Sequence, residues 1–151
     1  NRGHYVTPHI VKEINGEPLH DSLLVEHRTM VDRKWYDNIV RGMRQAVTGG
    51  TCRGANSALY EVCGKTGTAQ NRGRDHSAFM GFAPMNDPKI AIAVYVENGG
   101  FGATYGVPIG ALMMEQYLTD SLSEASQARA NEIQKRVIVD TSTDYIWDLD
   151  I

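Results

Sequence analysis

A chain of 151 residues with 42% apolar content can build one core and is too apolar for whole-chain disorder. Its net charge of −3 is uneven: residues 1–118 carry 12 basic and 11 acidic side chains, and residues 119–151 carry 3 and 7. Scattered basic residues and an acidic tail argue against a nucleic-acid partner, and no apolar run approaches the roughly 18 residues of a membrane span.

The first residues, Asn1-Arg2-Gly3-His4, show neither an initiator Met nor a signal-peptide pattern, so the expected parent is a longer protein. Residues 5–14 are β-prone and end at Asn15-Gly16, the two positive-φ positions of a type I′ turn. A hairpin from about residue 9 to 25 is predicted, with Pro8 and Pro18 holding its arms to short or edge strands. His27 to Val31 reads as one more short extended piece. His4, His9, His20 and His27 fall in this hairpin and edge context and read as half-exposed.

Asp32 is the expected cap of a helix reaching about Val47. Trp35, Ile39, Met43 and Val47 recur every fourth residue, and Val40 widens the stripe. Gly49-Gly50 is expected to end it through the left-handed conformation. Cys52 and Cys63 follow, with no C-x-x-C pair and no histidine at zinc-finger spacing, so neither metal nor cofactor is expected. Two separate buried thiols fit them better than a disulfide, which an oxidising compartment would still permit.

Three strands are predicted at about 59–70, 76–83 and 89–97. The Pro84–Pro88 connection makes the last two antiparallel neighbours. Neither alternates apolar with polar, which implies a sheet covered on both faces. Ile90, Ile92, Val94 and Val96 share one face of the third strand. Ala91 and Ala93 share the other, where a helix is expected to approach closely. The glycine-rich turn Asn98–Gly106 leads to a helix over 107–118, with Pro108 in its first turn. Residues 121–136 form a weakly striped polar helix, and the tail holds one β-prone patch, Val137-Ile138-Val139.

The segment Gly64-Lys65-Thr66-Gly67-Thr68 allows two chemistries. A phosphate-binding loop needs glycine five residues before Gly64, where Leu59 stands, and the strand-like Tyr60–Cys63 cannot form its cradle. The alternative is the K-T-G triad on the strand edge of a serine acyltransferase. There an extended strand puts Lys65 and Gly67 on one side and Thr66 and Thr68 on the other. Lysine supplies positive charge for a substrate carboxylate, and Gly67 leaves room for substrate backbone. A backbone N–H just beyond it can donate to an oxyanion.

The runs Gly64–Gln70, His76–Pro84 and Pro88–Gly100 closely resemble the last part of the transpeptidase domain of class B penicillin-binding proteins. Within that family the chain resembles the elongation type, penicillin-binding protein 2. The helix from Val107 and the opening stretch Asn1–Ile10 resemble the family as well, so the likeness covers residues 1–118. It implies an α+β fold: the C-terminal portion of the penicillin-binding-protein and serine β-lactamase fold, with three antiparallel core strands, covering helices and an N-terminal hairpin. Residues 119–151 are then an acidic C-terminal extension.

By the same resemblance, Lys65 and Thr66 bind the carboxylate of a peptidoglycan stem peptide or a β-lactam. Gly67 admits the acyl group, and Thr68 offers its N–H to the oxyanion. The implied activity is serine-type D,D-transpeptidation, cross-linking the cell wall on the periplasmic side of the bacterial inner membrane. The intact parent would be anchored by a segment absent here and would work in a cell-wall synthesis complex. Only one of the family's three motifs is present. No serine among Ser22, Ser57, Ser77, Ser121, Ser123, Ser126 and Ser142 has lysine three residues on, and S-x-N is missing. Tyr36 and Asn38 stand at similar spacing but read as ordinary helix residues, and His76, opening a strand beside Lys65, reads as structural.

The isolated chain is therefore expected to be inactive. A serine β-lactamase, a β-lactam sensor and a non-catalytic interaction module are the alternatives. The resemblance implies that the third strand lacks its outer neighbour, leaving an edge for either Val137-Ile138-Val139 of the tail or a second copy to cover, and self-association is the expected outcome.

Overall fold

The computed structural model describes residues 2–138 and divides the chain into two units, Asn1–Arg41 and Gly42–Ile151. The first unit contains β1 (His4–Tyr5), β2 (Glu13–Ile14), β3 (Glu17–Pro18) and β4 (His27–Arg28). Strands β1 and β4 pair antiparallel, and between them β2 and β3 form the expected hairpin. Its turn residues, Asn15 at φ 53° and Gly16 at φ 82°, take the predicted left-handed conformation. Each arm is only two residues long. Pro18 has no N–H with which to extend the ladder.

Helix α1 (Tyr36–Thr48) begins later than expected. Asp32 precedes a 3₁₀ turn, Arg33–Trp35, and makes no side-chain capping bond. Its carboxylate pairs instead with the Lys34 ammonium at 3.3 Å. The expected apolar stripe is buried only at its C-terminal end: Val47 is fully buried, whereas Trp35 and Ile39 are 54% and 61% exposed. The stop at Gly49-Gly50 also differs in kind, because neither glycine has positive φ. Here the requirement is space. A Cβ on Gly50 would lie 2.8 Å from the Ala46 backbone, against which the turn folds through Gly50 and Cys52 N–H bonds to the Ala46 carbonyl.

The second unit is built on a three-stranded antiparallel sheet, β5 (Cys63–Ala69), β6 (His76–Ala83) and β7 (Ile90–Val96), in that spatial order. The expected strand over 59–70 is trimmed at its start. Cys63 lies opposite Phe82, so two positions earlier the ladder would meet Pro84, which cannot donate. The Val62 carbonyl accepts from the Arg44 guanidinium instead, at 3.0 Å.

Helix α2 (Gly106–Thr119) packs on the face formed by Phe79, Ile90, Ile92 and Val94, and its Val107 and Met114 complete the core with Val47, Cys52, Ala55, Val62 and Ala83. Full burial of a side chain such as Phe79 contributes about 1.5–3 kcal/mol. Among the described residues no helix approaches Ala91 and Ala93: both are exposed, as are Met80 and Tyr95 on the same face. The small residues that permit close approach sit in the helix, where a Cβ on Gly110 would stand 2.6 Å from the Phe79 ring. Among the described residues the sheet is thus covered by a helix on one face rather than on two.

Helix α3 (Glu124–Gln134) is shorter than the predicted 121–136 and is capped by Ser123, whose side chain accepts the Ser126 N–H. Glu115 of α2 holds that cap in place, accepting from the Ser123 N–H at 2.8 Å and from the Ser126 hydroxyl. Of the β-prone patch Val137–Val139, the first two residues lie outside any strand, and Val139 falls outside the described residues.

Candidate active site

Gly64-Lys65-Thr66 lies inside β5 and not at a helix N-terminus, which removes the phosphate-loop reading. The register carries out the predicted alternation: Lys65 and Gly67 face Met80 and Ala78, and Thr66 and Thr68 face Phe79 and Ser77. Among the described residues β5 pairs only with β6, so its outer edge is free to accept an extended ligand.

Lys65 is exposed, and its ammonium donates to the Thr66 carbonyl at 2.8 Å. No carboxylate among the described residues pairs with it. A cation with no carboxylate partner at a strand edge attracts an anion. Thr66 is half-buried, with its hydroxyl 2.6 Å from that of Thr51. Gly67 and Thr68 are exposed beside it.

The rim is the turn between β7 and α2, and it is fixed by a residue the sequence did not single out. Ser77, fully buried, donates to the Phe101 carbonyl at 2.8 Å and accepts the Gly106 N–H at 3.0 Å. These bonds occupy its hydroxyl, so Ser77 is a strut and not a nucleophile. Gly102 then lies so close to the sheet that a Cβ there would be 2.6 Å from the Gly67 carbonyl and 2.9 Å from the Thr66 side chain. Only glycine fits that approach. Phe101, next to it, is 73% exposed at the rim.

His76 has the structural role read from the sequence: its Nδ1 accepts the Asn98 N–H at 3.0 Å and its ring rests on Tyr95. Asn38 accepts from Arg41 one helical turn away. Both cysteines are buried and unpaired. Burial pushes each thiol up from its ordinary value, with Thr51, Thr66 and Lys65 pulling Cys52 back, and Arg44 doing so for Cys63. Their thiols stay protonated and poorly nucleophilic near neutral pH.

Comparison with known proteins yields a consistent set of likenesses. A family model described as the penicillin binding protein transpeptidase domain matches residues 1–117. Peptidoglycan D,D-transpeptidase MrdA of Haemophilus influenzae is 31% identical over 158 residues, covering 90% of this chain and 24% of that protein. The crystal structure of Pseudomonas aeruginosa PBP2 in complex with WCK 5153 is 43% identical with a TM-score of 0.67, covering 83% of this chain and 28% of that one. The penicillin G acyl-enzyme of penicillin-binding protein A from M. tuberculosis is 25% identical with a TM-score of 0.60, over 78% of this chain and 29% of that one. The chain thus spans about a quarter of the length of such relatives.

Proposed function

The chain belongs to the penicillin binding protein transpeptidase domain family, and on that premise we propose that it supplies the K-T-G strand of a peptidoglycan D,D-transpeptidase. Residues 1–118 form the C-terminal segment of the transpeptidase domain, 119–151 are an extension, and the nucleophilic serine comes from outside these 151 residues. The intact enzyme works on the periplasmic face of the inner membrane. Taken alone, the chain associates with a second copy through the outer edge of β7.

The observation that carries this reading is the Lys65 ammonium, without a carboxylate partner among the described residues, on the edge of β5 that no described strand covers, beside Thr66. In the proposed reaction, Lys65 and Thr66 hold the carboxylate of the stem peptide's terminal D-alanine. The serine hydroxyl attacks the preceding carbonyl, and the Thr68 N–H donates to the oxyanion as it develops. The C–N bond breaks, D-alanine leaves as the free amine with the serine proton, and an ester remains. A neighbouring stem-peptide amine then attacks that ester, forming the cross-link and returning the proton to serine. Gly67, with no side chain, leaves the edge open to the donor backbone. A β-lactam enters the first step alone.

The test is acylation by a fluorescent penicillin. The full-length protein bearing this chain takes the label, and the isolated chain does not. Lys65→Ala in the full-length protein slows labelling by about 100- to 1,000-fold, corresponding to the loss of one electrostatic group from the reaction site. Stable labelling of the isolated chain, or labelling of the Lys65→Ala protein at the wild-type rate, rejects the assignment.

A further inference from the structure

Thr51 lies fifteen residues before Thr66 in sequence, on the turn that closes helix α1, yet the two hydroxyls are 2.6 Å apart. Resting on the transpeptidase reading above, we propose that Thr51 is a positioning residue, orienting the Thr66 hydroxyl toward the substrate carboxylate.

A threonine hydroxyl has one proton to give and two lone pairs. A carboxylate only accepts, so Thr66 must spend its proton on the substrate. The bond between the two threonines then runs in one direction only: Thr51 donates and Thr66 accepts. That polarises the Thr66 O–H and strengthens its charge-assisted bond to the carboxylate. With Thr51 silent, the Thr66 hydroxyl is free to rotate, and its proton has no preferred direction.

The turn holding Thr51 is fixed from several sides, which a positioning role requires. Thr51 is exposed, but the next residue, Cys52, is fully buried, and Ala55 anchors the far end at 3% exposure. The Gly50 and Cys52 N–H groups both bond the Ala46 carbonyl, at 3.1 and 2.9 Å, and the Ala55 N–H bonds the Cys52 carbonyl at 2.9 Å. Between these anchors, the Gly54 carbonyl accepts from Arg129 of α3 at 3.1 Å. Arg129 lies beyond residues 1–117, and α3 is itself tied to α2 through Glu115. An element outside the family-matched region thus braces the turn that aims Thr66.

The experiment uses the full-length protein bearing this chain and benzylpenicillin over a range of concentrations. It separates the apparent dissociation constant from the limiting acylation rate, with thermal unfolding measured alongside. Thr51→Val keeps the shape and removes the hydroxyl, and Thr51→Ser keeps the hydroxyl. Thr51→Val is expected to raise the apparent dissociation constant by up to about tenfold, the upper end for one hydrogen bond between neutral groups, and to leave the limiting rate within about twofold. Thr51→Ser restores wild-type affinity. Arg129→Ala, away from the cleft, raises the constant when Thr51 is present and adds nothing on top of Thr51→Val, because both act through one hydroxyl.

Wild-type affinity in Thr51→Val overturns the proposal. So does equal impairment in Thr51→Ser and Thr51→Val, which would assign the effect to packing. If Thr51→Val does not fold, Arg129→Ala decides, and unchanged affinity there overturns the brace. A wild-type protein that is not acylated at all rejects the transpeptidase reading itself, a failure distinct from these.

Discussion

Two helical glycines respond in opposite ways to the same substitution, and Phe79 is the reason. In α1, a Cβ on Gly42 would meet nothing within 4 Å, so Gly42→Ala should gain the ordinary helix propensity of about 1 kcal/mol. In α2, a Cβ on Gly110 would lie 2.6 and 2.7 Å from two ring carbons of Phe79. That ring is 2% exposed and cannot move aside without disturbing the core it anchors. Overpacking of this kind costs about 1–3 kcal/mol and outweighs the propensity gain. Thermal unfolding should therefore show Gly42→Ala above wild type and Gly110→Ala below it. A stabilised Gly110→Ala would mean that α2 does not seat on Phe79.

At the scale of elements, the junction between α2 and α3 carries a pH dependence. The Glu115 carboxyl is held below its ordinary value, first by the Ser126 hydroxyl bond and further by the Ser123 backbone and side chain, against a smaller opposing burial effect. Only the ionised form accepts both bonds. As pH falls, the unfolded chain takes up this proton before the folded one does. The bonds therefore contribute fully above the ordinary carboxylate range and are lost as pH falls through the lowered value. Because the group is largely solvated, the effect is local detachment of α3 and not global unfolding. The Ser123 amide resonance is expected to titrate in the acid range in wild type and to stay flat in Glu115→Gln.

This junction also shows what the sequence could and could not reveal. The three strands, their order and α2 were legible because their signals are local: β-branched runs, the Pro84–Pro88 connection and Pro108 in the first helical turn. The K-T-G strand was legible for the same reason, as a contiguous string. What failed was decided either by a competing neighbour or by a distant partner. Asp32 looked like a cap but was drawn to Lys34. Ala91 and Ala93 looked like the close-packing surface, while Gly110, on an element far along the chain, took that part. Thr51 and Ser77 gave no signal, since a lone hydroxyl acquires its role only from what folding brings beside it.

At the scale of the whole molecule, the decisive feature is how little, among the described residues, covers the outer side of the sheet. Strand β7 pairs with β6 only, among the described residues, and Ile90–Val96 contains no charge and no proline. Lys89 and Glu97 flank the strand, but nothing within it carries the devices that blunt an edge. Beside that edge, Met80 is 60% exposed and Tyr95 58%. Strand β5 also has no outer neighbour among the described residues, but it carries Lys65, Gly64 and Gly67 and is the poorer template. Two copies joined through β7 in antiparallel fashion would make one six-stranded sheet with a closed two-fold interface. Light scattering on the isolated chain is expected to give twice the monomer mass of 16.7 kDa. Ala93→Lys, which charges the exposed face of β7 without entering the core, should return the mass to that of one chain. A wild-type sample scattering as a monomer at all concentrations would mean that this edge, open and apolar as it is, recruits no second copy.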